Sequence, residues 1–295
     1  MRAEEFASPP GDDRSFRAFL EALPDVLVAG DFKRVVEAVV NAQRLRRGVI
    51  VMLGGHIVKT GVAPVLIDLM ERGVITHVAM NGSGAIHDYE IARFGATSED
   101  VARGLLDGTF GMAEETGSGM NKAFTAGMQN GWGMGESLAR ALVEEKELAH
   151  PELSLLLSAH RLGIPCTVHA ALGAEIIHQH PLADGAAIGD TSHRDFRRLA
   201  GSLPSIHEGG AVLNFGSAVI MPEVFLKALT IARNLNDRRP FNFTTCDLDM
   251  QRHYRPRMNV VIRPTNAGGK GYEITGHHEI MVPMLCWAIV DSLRD

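Results

Sequence analysis

Apolar positions along this chain follow two rhythms. Over 14–23 and again over about 31–47 they recur every three to four residues, with Phe32, Val35, Val36, Val39 and Val40 on one stripe. That is the spacing of an amphipathic helix. At Gly48-Val49-Ile50-Val51-Met52-Leu53 the pattern becomes an unbroken apolar run, closed by Gly54 and Gly55. Such a run is what a strand buried on both faces requires. Strand and helix then alternate. A helix over 61–73, with Thr60 as its cap, leads to a strand over 74–80, the loop Asn81-Gly82-Ser83-Gly84 and a helix over 85–94. Further on come a helix at 152–162, a strand at 164–169, a helix at 193–202, a strand at 210–214, a helix at 221–235, strands at 240–247 and 258–263, and a final helix at 277–293.

Strands separated by helices imply parallel neighbours joined by right-handed crossovers. The expected fold is α/β: a Rossmann-like, mostly parallel six-stranded sheet with helices on both faces. Residues 1–30 read as an N-terminal arm with a short helix, and 31–295 as the α/β domain. The stretch 95–148 interrupts the rhythm. Its glycine-rich segments TGSGMNK and MQNGWGMG read as loops and 135–150 as a helix, an excursion beside the sheet rather than a second domain. Ligands of such sheets bind beyond the carboxyl ends of the strands. The loops that matter are therefore those at 56–61, 81–88, 169–173, 214–217, 246–253 and 275–279.

Composition narrows the class. With 295 residues, 45% of them hydrophobic, the chain can build a full core. The net charge is −6, and the one basic run, Arg44-Leu45-Arg46-Arg47, reads as the solvated end of a helix, so no nucleic-acid partner is expected. No apolar run reaches the ~18 residues of a membrane span. The start of the chain carries Glu4, Glu5, Asp12 and Asp13 and no apolar core of a signal peptide. Cys166, Cys246 and Cys286 lie far apart in apolar surroundings, as reduced core residues of a cytoplasmic protein do, and no Cys-x-x-Cys pair offers a zinc site.

The carboxyl-end loops also carry a family resemblance. Gly55-His56-Ile57-Val58-Lys59-Thr60-Gly61 resembles the Asn-Leu-Ile-Ser-Ser-Gly loop of deoxyhypusine synthases, and Asn81-Gly82-Ser83-Gly84 with Asp88 resembles their Thr-Ala-Gly-Gly-(x)-Glu-Glu-Asp segment. His160-Arg161-Leu162-Gly163-Ile164-Pro165 with Leu172-Gly173 is similar to Asn-His-Ile-Pro … Ser-Leu-Gly. Leu213-Asn214-Phe215-Gly216-Ser217 falls at the Gly-Gly-Gly turn, Asn242 to Arg255-Pro256 follows Asn-Thr-Ala-Gln … Ala-Arg-Pro, and Pro283 stands as the family's Phe-Pro does. Order and spacing hold from about 31 to 290. The resemblance implies a homotetramer, NAD sites at dimer interfaces and an arm that reaches a neighbour.

The family's chemistry does not carry over with the spacing. Its lysine, which forms an imine with a butyl group taken from spermidine, belongs to a Trp-Gly-Lys segment that here reads Ile262-Arg263-Pro264. A Schiff base needs an amine, and proline has none to offer. Carboxylates that hold the polyamine become Gln251, Met258 and His169, and the histidine after the Gly-Gly-Gly turn becomes Met221 or Pro222. No deoxyhypusine synthase activity is expected.

Histidines stand instead at His56, His87, His169 and His277, all at or just after predicted strand ends. Neutral imidazole is a base near pH 7 and a metal ligand, so these residues are candidates for acid–base or metal work; as simple polar replacements they would be satisfied by backbone. Three readings follow. In the first, the chain is an enzyme that binds NAD or a related nucleotide through His56, Thr60, Gly61, Asn81, Gly82, Ser83, Gly84, Gly216, Ser217 and Thr244. It acts on a small molecule with His87, His169 and His277 as acid–base groups. Lys59-Thr60 and Asn81–Gly84 would cradle the pyrophosphate. In the second, the same histidines with Asp247 and Asp249, and His253 beside them, hold a divalent metal for hydrolysis of a small substrate. In the third, the fold persists as a non-catalytic ligand-binding protein. Glu175, His178 and His180 form a further cluster whose spacing matches no zinc motif.

Overall fold

The computed structural model describes residues 2–235 and 239–294. Helices α1 (Phe16–Ala22) and α2 (Leu27–Arg44) precede β1 (Val49–Leu53). After α3 (Gly55–Lys59) and α4 (Ala63–Glu71) comes β2 (His77–Asn81), which α5 (Gly82–Phe94) leaves directly. Then α6 (Val101–Asp107), α7 (Glu114–Asn130), α8 (Met134–Glu144) and α9 (Leu155–Leu162) run to β3 (Cys166–His169). The rest is α10 (Gly185–Ser202), β4 (Ala211–Phe215), α11 (Ile220–Leu235), β5 (Phe243–Asp249), α12 (Tyr254–Pro256), a π-helical segment Arg257–Ile262, β6 (Gly269–Thr275) and α13 (His278–Ser292).

The six strands form one sheet in the order β3-β2-β1-β4-β5-β6, every pair parallel. β1 shows why its run had to be apolar throughout. Val49, Val51 and Leu53 share a core with Val35 of α2, Leu66 of α4 and Leu285 of α13, whereas Ile50 and Met52 meet Leu199 of α10 and Phe225 of α11 on the other face. Both faces are covered, and all five side chains of β1 are apolar and buried. The chain builds outward in opposite directions from β1 and β4, which makes the gap between their carboxyl ends the topological switch point.

Two buried carboxylates pin helices to this frame. Asp88 accepts hydrogen bonds from Ser154 Oγ (2.6 Å) and from the amides of Leu155 (2.7 Å) and Leu156 (3.2 Å), the first turn of α9. Asp195 accepts from the amides of Gly135 in α8 and Val168 in β3, both at 2.8 Å. Burial pushes their carboxyls up, to about 6 and about 7, although those donors oppose it. At the other end of the chain α1 lies against α13, with the Phe16 and Trp287 rings 6.3 Å apart, so within one chain the arm packs on its own last helix.

Several elements differ from their expected form. The apolar stretch at 258–263 is helical, and the sixth strand is β6, a glycine-rich segment whose side chains are half exposed. A short apolar run fits a buried helical turn as well as a strand, and pairing with β5 decides which segment extends the sheet. The TGSGMNK segment lies inside α7. Its glycines permit contact, not a loop: a Cβ on Gly117 would lie 2.7 Å from the His180 ring, and one on Gly119 2.3 Å from Tyr89 Oη. Thr60 does not start α4. It closes α3, and its hydroxyl donates to Ile57 O at 3.0 Å.

Candidate functional site

At the switch point the loops after β1 and β4 touch. A Cβ on Gly54 would fall 2.0 Å from Gly216 O, and one on Gly216 (φ +63°) would fall 2.9 Å from His278 Cε1. Only glycine fits at either place. The His278 ring covers Gly216 with 1% of the residue exposed, and neither ring nitrogen has a hydrogen-bond partner among the described residues. Its Nε2 is 3.6 Å from Asp249 Oδ1, at the end of β5, and its ring meets that of His56 edge-on at 5.5 Å. Burial lowers the His278 pKa against the pull of Asp249 and of the Leu248 carbonyl, which lies near the ring but outside hydrogen-bonding geometry. His278, which begins α13, is thus a buried imidazole with unused hydrogen-bonding capacity at the crevice.

Beside it, over the end of β2, is a cavity of about 270 Å³ lined by Lys59, Ser83, His87, Glu90, Phe110 and Glu175 among others. Here a relay is built. Thr116 Oγ1 donates to Glu90 Oε1 (3.0 Å), Thr97 Oγ1 donates to Glu90 Oε2 (2.5 Å), and His87 Nδ1 meets Thr97 Oγ1 at 2.7 Å. Because the threonine hydroxyl gives its proton to the carboxylate, it accepts from His87, which places the imidazole proton on Nδ1 and leaves Nε2 bare. Burial, then Lys59 and His56, hold the His87 pKa down to about 4. Glu90 sits one turn after His87 on α5, so the i, i+3 spacing was visible in the sequence, but nothing there linked it to Thr97.

Glu175 forms the opposite wall. It accepts the Ala171 amide at 2.7 Å and is steadied by that of Gly82, and a Cβ on Gly82 would fall 2.1 Å from its Cδ. His178 Nδ1 accepts from Gly173 N–H, and its Nε2 lies 3.2 Å from Glu175 Oε2 without a hydrogen bond between the two. Burial raises the Glu175 carboxyl to about 7 and lowers His178. The site thus pairs a histidine held neutral with a carboxyl that keeps its proton to near neutrality, a division of labour typical of acid–base centres.

The structure brings together His56, His87, Ser83, Gly216 and Ser217 along this edge and separates the others. His169 lies buried at the end of β3, its Nε2 3.1 Å from Thr167 Oγ1, and burial lowers its pKa to about 3. His277 is exposed and follows β6, the other edge strand. Five strand spacings of about 4.8 Å put those two histidines roughly 24 Å apart. Thr244 stands at the amino end of β5, opposite Ala211, roughly 17 Å of strand from Asp249. Gly61 is an exposed left-handed residue after Thr60. The Asn81–Gly84 cradle is partly closed: Asn81 Oδ1 accepts the Gly84 amide, and the Glu175 carboxyl packs against Gly82.

The proposed metal residues do not converge. Asp247 Oδ1 accepts from Asn214 Nδ2 at 2.7 Å, burial raises that carboxyl to about 7, and His253 Nε2 is 4.0 Å from Asp249 Oδ2. Among the described residues no three His, Cys, Asp or Glu side chains are grouped to hold a metal ion. The three cysteines are buried and unpaired, and no described helix is long and apolar enough to cross a membrane.

No protein-family model and no curated protein matches the sequence. Solved structures match the fold. A putative deoxyhypusine synthase from Entamoeba histolytica superposes over 90% of this chain and 88% of its own at TM-score 0.53 and 10% identity. This chain shares the deoxyhypusine-synthase fold. A conserved putative LOR/SDH protein from Methanococcus maripaludis S2 covers 91% of this chain and 71% of its own, with TM-score 0.54 and 15% identity. AgrE, solved as a ternary complex with ornithine and NAD+, matches 90% of this chain at TM-score 0.51 and 11% identity; the matched part is 33% of AgrE.

Proposed function

We propose that this protein is an NAD- or nucleotide-binding enzyme that carries out acid–base chemistry on a small molecule in the cavity between His87 and Glu175. The His87–Thr97–Glu90 relay facing Glu175 carries the reading, because a bare imidazole nitrogen and a protonated carboxyl meet across one small cavity. The nucleotide is supported by the deoxyhypusine-synthase fold and by AgrE, a sharer of that fold solved with NAD+. Since Asn81 takes the Gly84 amide and Glu175 packs over Gly82, the residues suited to hold it are His56, Gly216, Ser217, Asp249 and His278 on the β1, β4 and β5 side. The buried His278 nitrogens, without partners, are the groups that fit a polar ligand there.

NAD, when bound, supplies a hydride acceptor. His87 Nε2 takes the proton that the substrate gives up, and Thr97 with Glu90 steadies the imidazolium that results. Glu175 holds a proton for an oxygen or nitrogen of the substrate. Lys59 offers a cation at the rim. Pro264 stands where deoxyhypusine synthases carry the imine-forming lysine, so the reading is one of proton and hydride movement, with Lys59 acting as a fixed cation.

Calorimetric titration with NAD is the test. Saturable heat at micromolar to submillimolar NAD, weakened in His278→Ala and retained in Thr97→Val, is the expected result. Absence of heat would remove the nucleotide from the reading.

A further inference from the structure

At the amino end of the sheet, opposite the site above, the last turns of α2, α4 and α10 surround an open pocket of about 650 Å³. Arg44, Arg46, Arg47 and Arg72 line it, and no carboxylate does. In a chain of net charge −6 this is a concentration of positive charge that needs a cause. Helix ends supply part of one. Each carries about half a negative charge, roughly −1.5 for three, against four guanidiniums.

Partners account for two of the four. Arg72 Nε is bound to Asp68 at 2.7 Å, and Arg44 donates to Ser292 O at 3.1 Å. The side chains of Arg46 and Arg47 make no hydrogen bond or ion pair with the described residues, and Arg47 Nε is buried without a partner. The nearby hydroxyls are spoken for: Ser202 Oγ donates to Arg198 O and Ser205 Oγ to Ser202 O.

The backbone adds an independent observation. α2 closes with Arg47 N–H donating to Ala42 O (2.7 Å) and Arg46 N–H to Gln43 O (3.0 Å), a motif that requires left-handed backbone at Arg46, where φ is +53°. α4 closes in the same way on the facing wall, with Val74 N–H to Leu69 O (2.9 Å) and Gly73 N–H to Met70 O (3.0 Å), and there the left-handed residue is Gly73. Glycine adopts that conformation without strain and arginine does not. The chain therefore keeps an arginine side chain on the pocket where its own second example of the motif uses glycine.

We propose that this pocket binds a small phosphate-bearing anion with at least two negative charges, held by the guanidiniums of Arg46 and Arg47. Arginine matches phosphate geometry with paired N–H donors, and the pocket has the volume of a small-molecule site.

Inorganic pyrophosphate titrated into the full chain by calorimetry at low ionic strength is the experiment. Saturable binding is expected, weakening with added salt and falling at least tenfold in Arg46→Gly and in Arg47→Gln. Arg46→Gly should leave the melting temperature unchanged or raise it by roughly 2 °C, which separates lost binding from lost folding. NAD should not compete. Lack of saturable binding at millimolar pyrophosphate, wild-type affinity in Arg46→Gly, or displacement by NAD would each overturn the proposal, the last by placing the anion at the carboxyl edge.

Discussion

Replacing Glu175 with glutamine should make the protein relatively more stable as the pH rises. Burial against Gly82 and His178 raises the carboxyl from its ordinary 4.5 to about 7. A raised folded-state pKa means the fold favours the protonated carboxyl, so the contribution is fully present below pH 4.5 and lost as the pH climbs through 7. At about 1.36 kcal/mol per pH unit the swing is roughly 3 kcal/mol. Glutamine has the shape of the protonated acid and can accept the Ala171 and Gly82 amides, yet it does not titrate. Its amide would sit beside the His178 ring, an effect that is constant with pH. Urea unfolding at pH 5, 6, 7 and 8 gives the stability difference between wild type and Glu175→Gln, and taking a difference cancels the other titrating groups. The variant should gain on wild type by roughly 2.5 kcal/mol across that range, since a little of the swing is already lost by pH 5. A difference that stays level within about 0.5 kcal/mol would show that Glu175 ionises normally and refute its role as a proton-holding acid.

His87 should titrate near pH 4 by NMR of its ring, so a reaction using it as base and Glu175 as acid should run best between about pH 4 and 7, with kcat/KM falling on both sides. Gly216→Ala should cost about 1–2 kcal/mol at its left-handed backbone, displace His278 and weaken NAD binding at least tenfold, read by thermal melting and calorimetry. Phe225→Ala, fully buried on the α11 face, should cost about 3–5 kcal/mol by urea unfolding and leave the affinity of the folded protein for NAD unchanged. Light scattering should report a homotetramer, as the family resemblance implies; a monomer at micromolar concentration would reject that assembly.

Much of the frame was legible. β1 is an unbroken apolar run, and β4 is one but for Asn214, because both faces of a central parallel strand are covered, and α2 shows its buried stripe because only one side meets the core. The edge was harder. β6 has one side chain fully buried and glycines through it, so it lacks any apolar signature, while Val260 and Val261 carry one in a helical segment. In α7, glycines that resemble a loop in sequence serve close helix packing.

The candidate site divides in the same way. Histidine at the strand ends could be read from spacing along the chain, and His56 and His87 do meet at one cleft. Strand order could not be read. It placed β3 and β6 on opposite edges and so parted His169 from His277. Thr97, Glu90, Glu175 and His278 acquire their meaning from partners that reach as far along the chain as His56 is from His278, or from burial that no local pattern encodes. The sequence by itself determined which segments could be buried, because burial depends on side-chain polarity at a local period. Only the tertiary structure decided which polar groups share a cavity and what charge they carry there, because a pKa is set by desolvation and neighbours that folding brings from elsewhere in the chain.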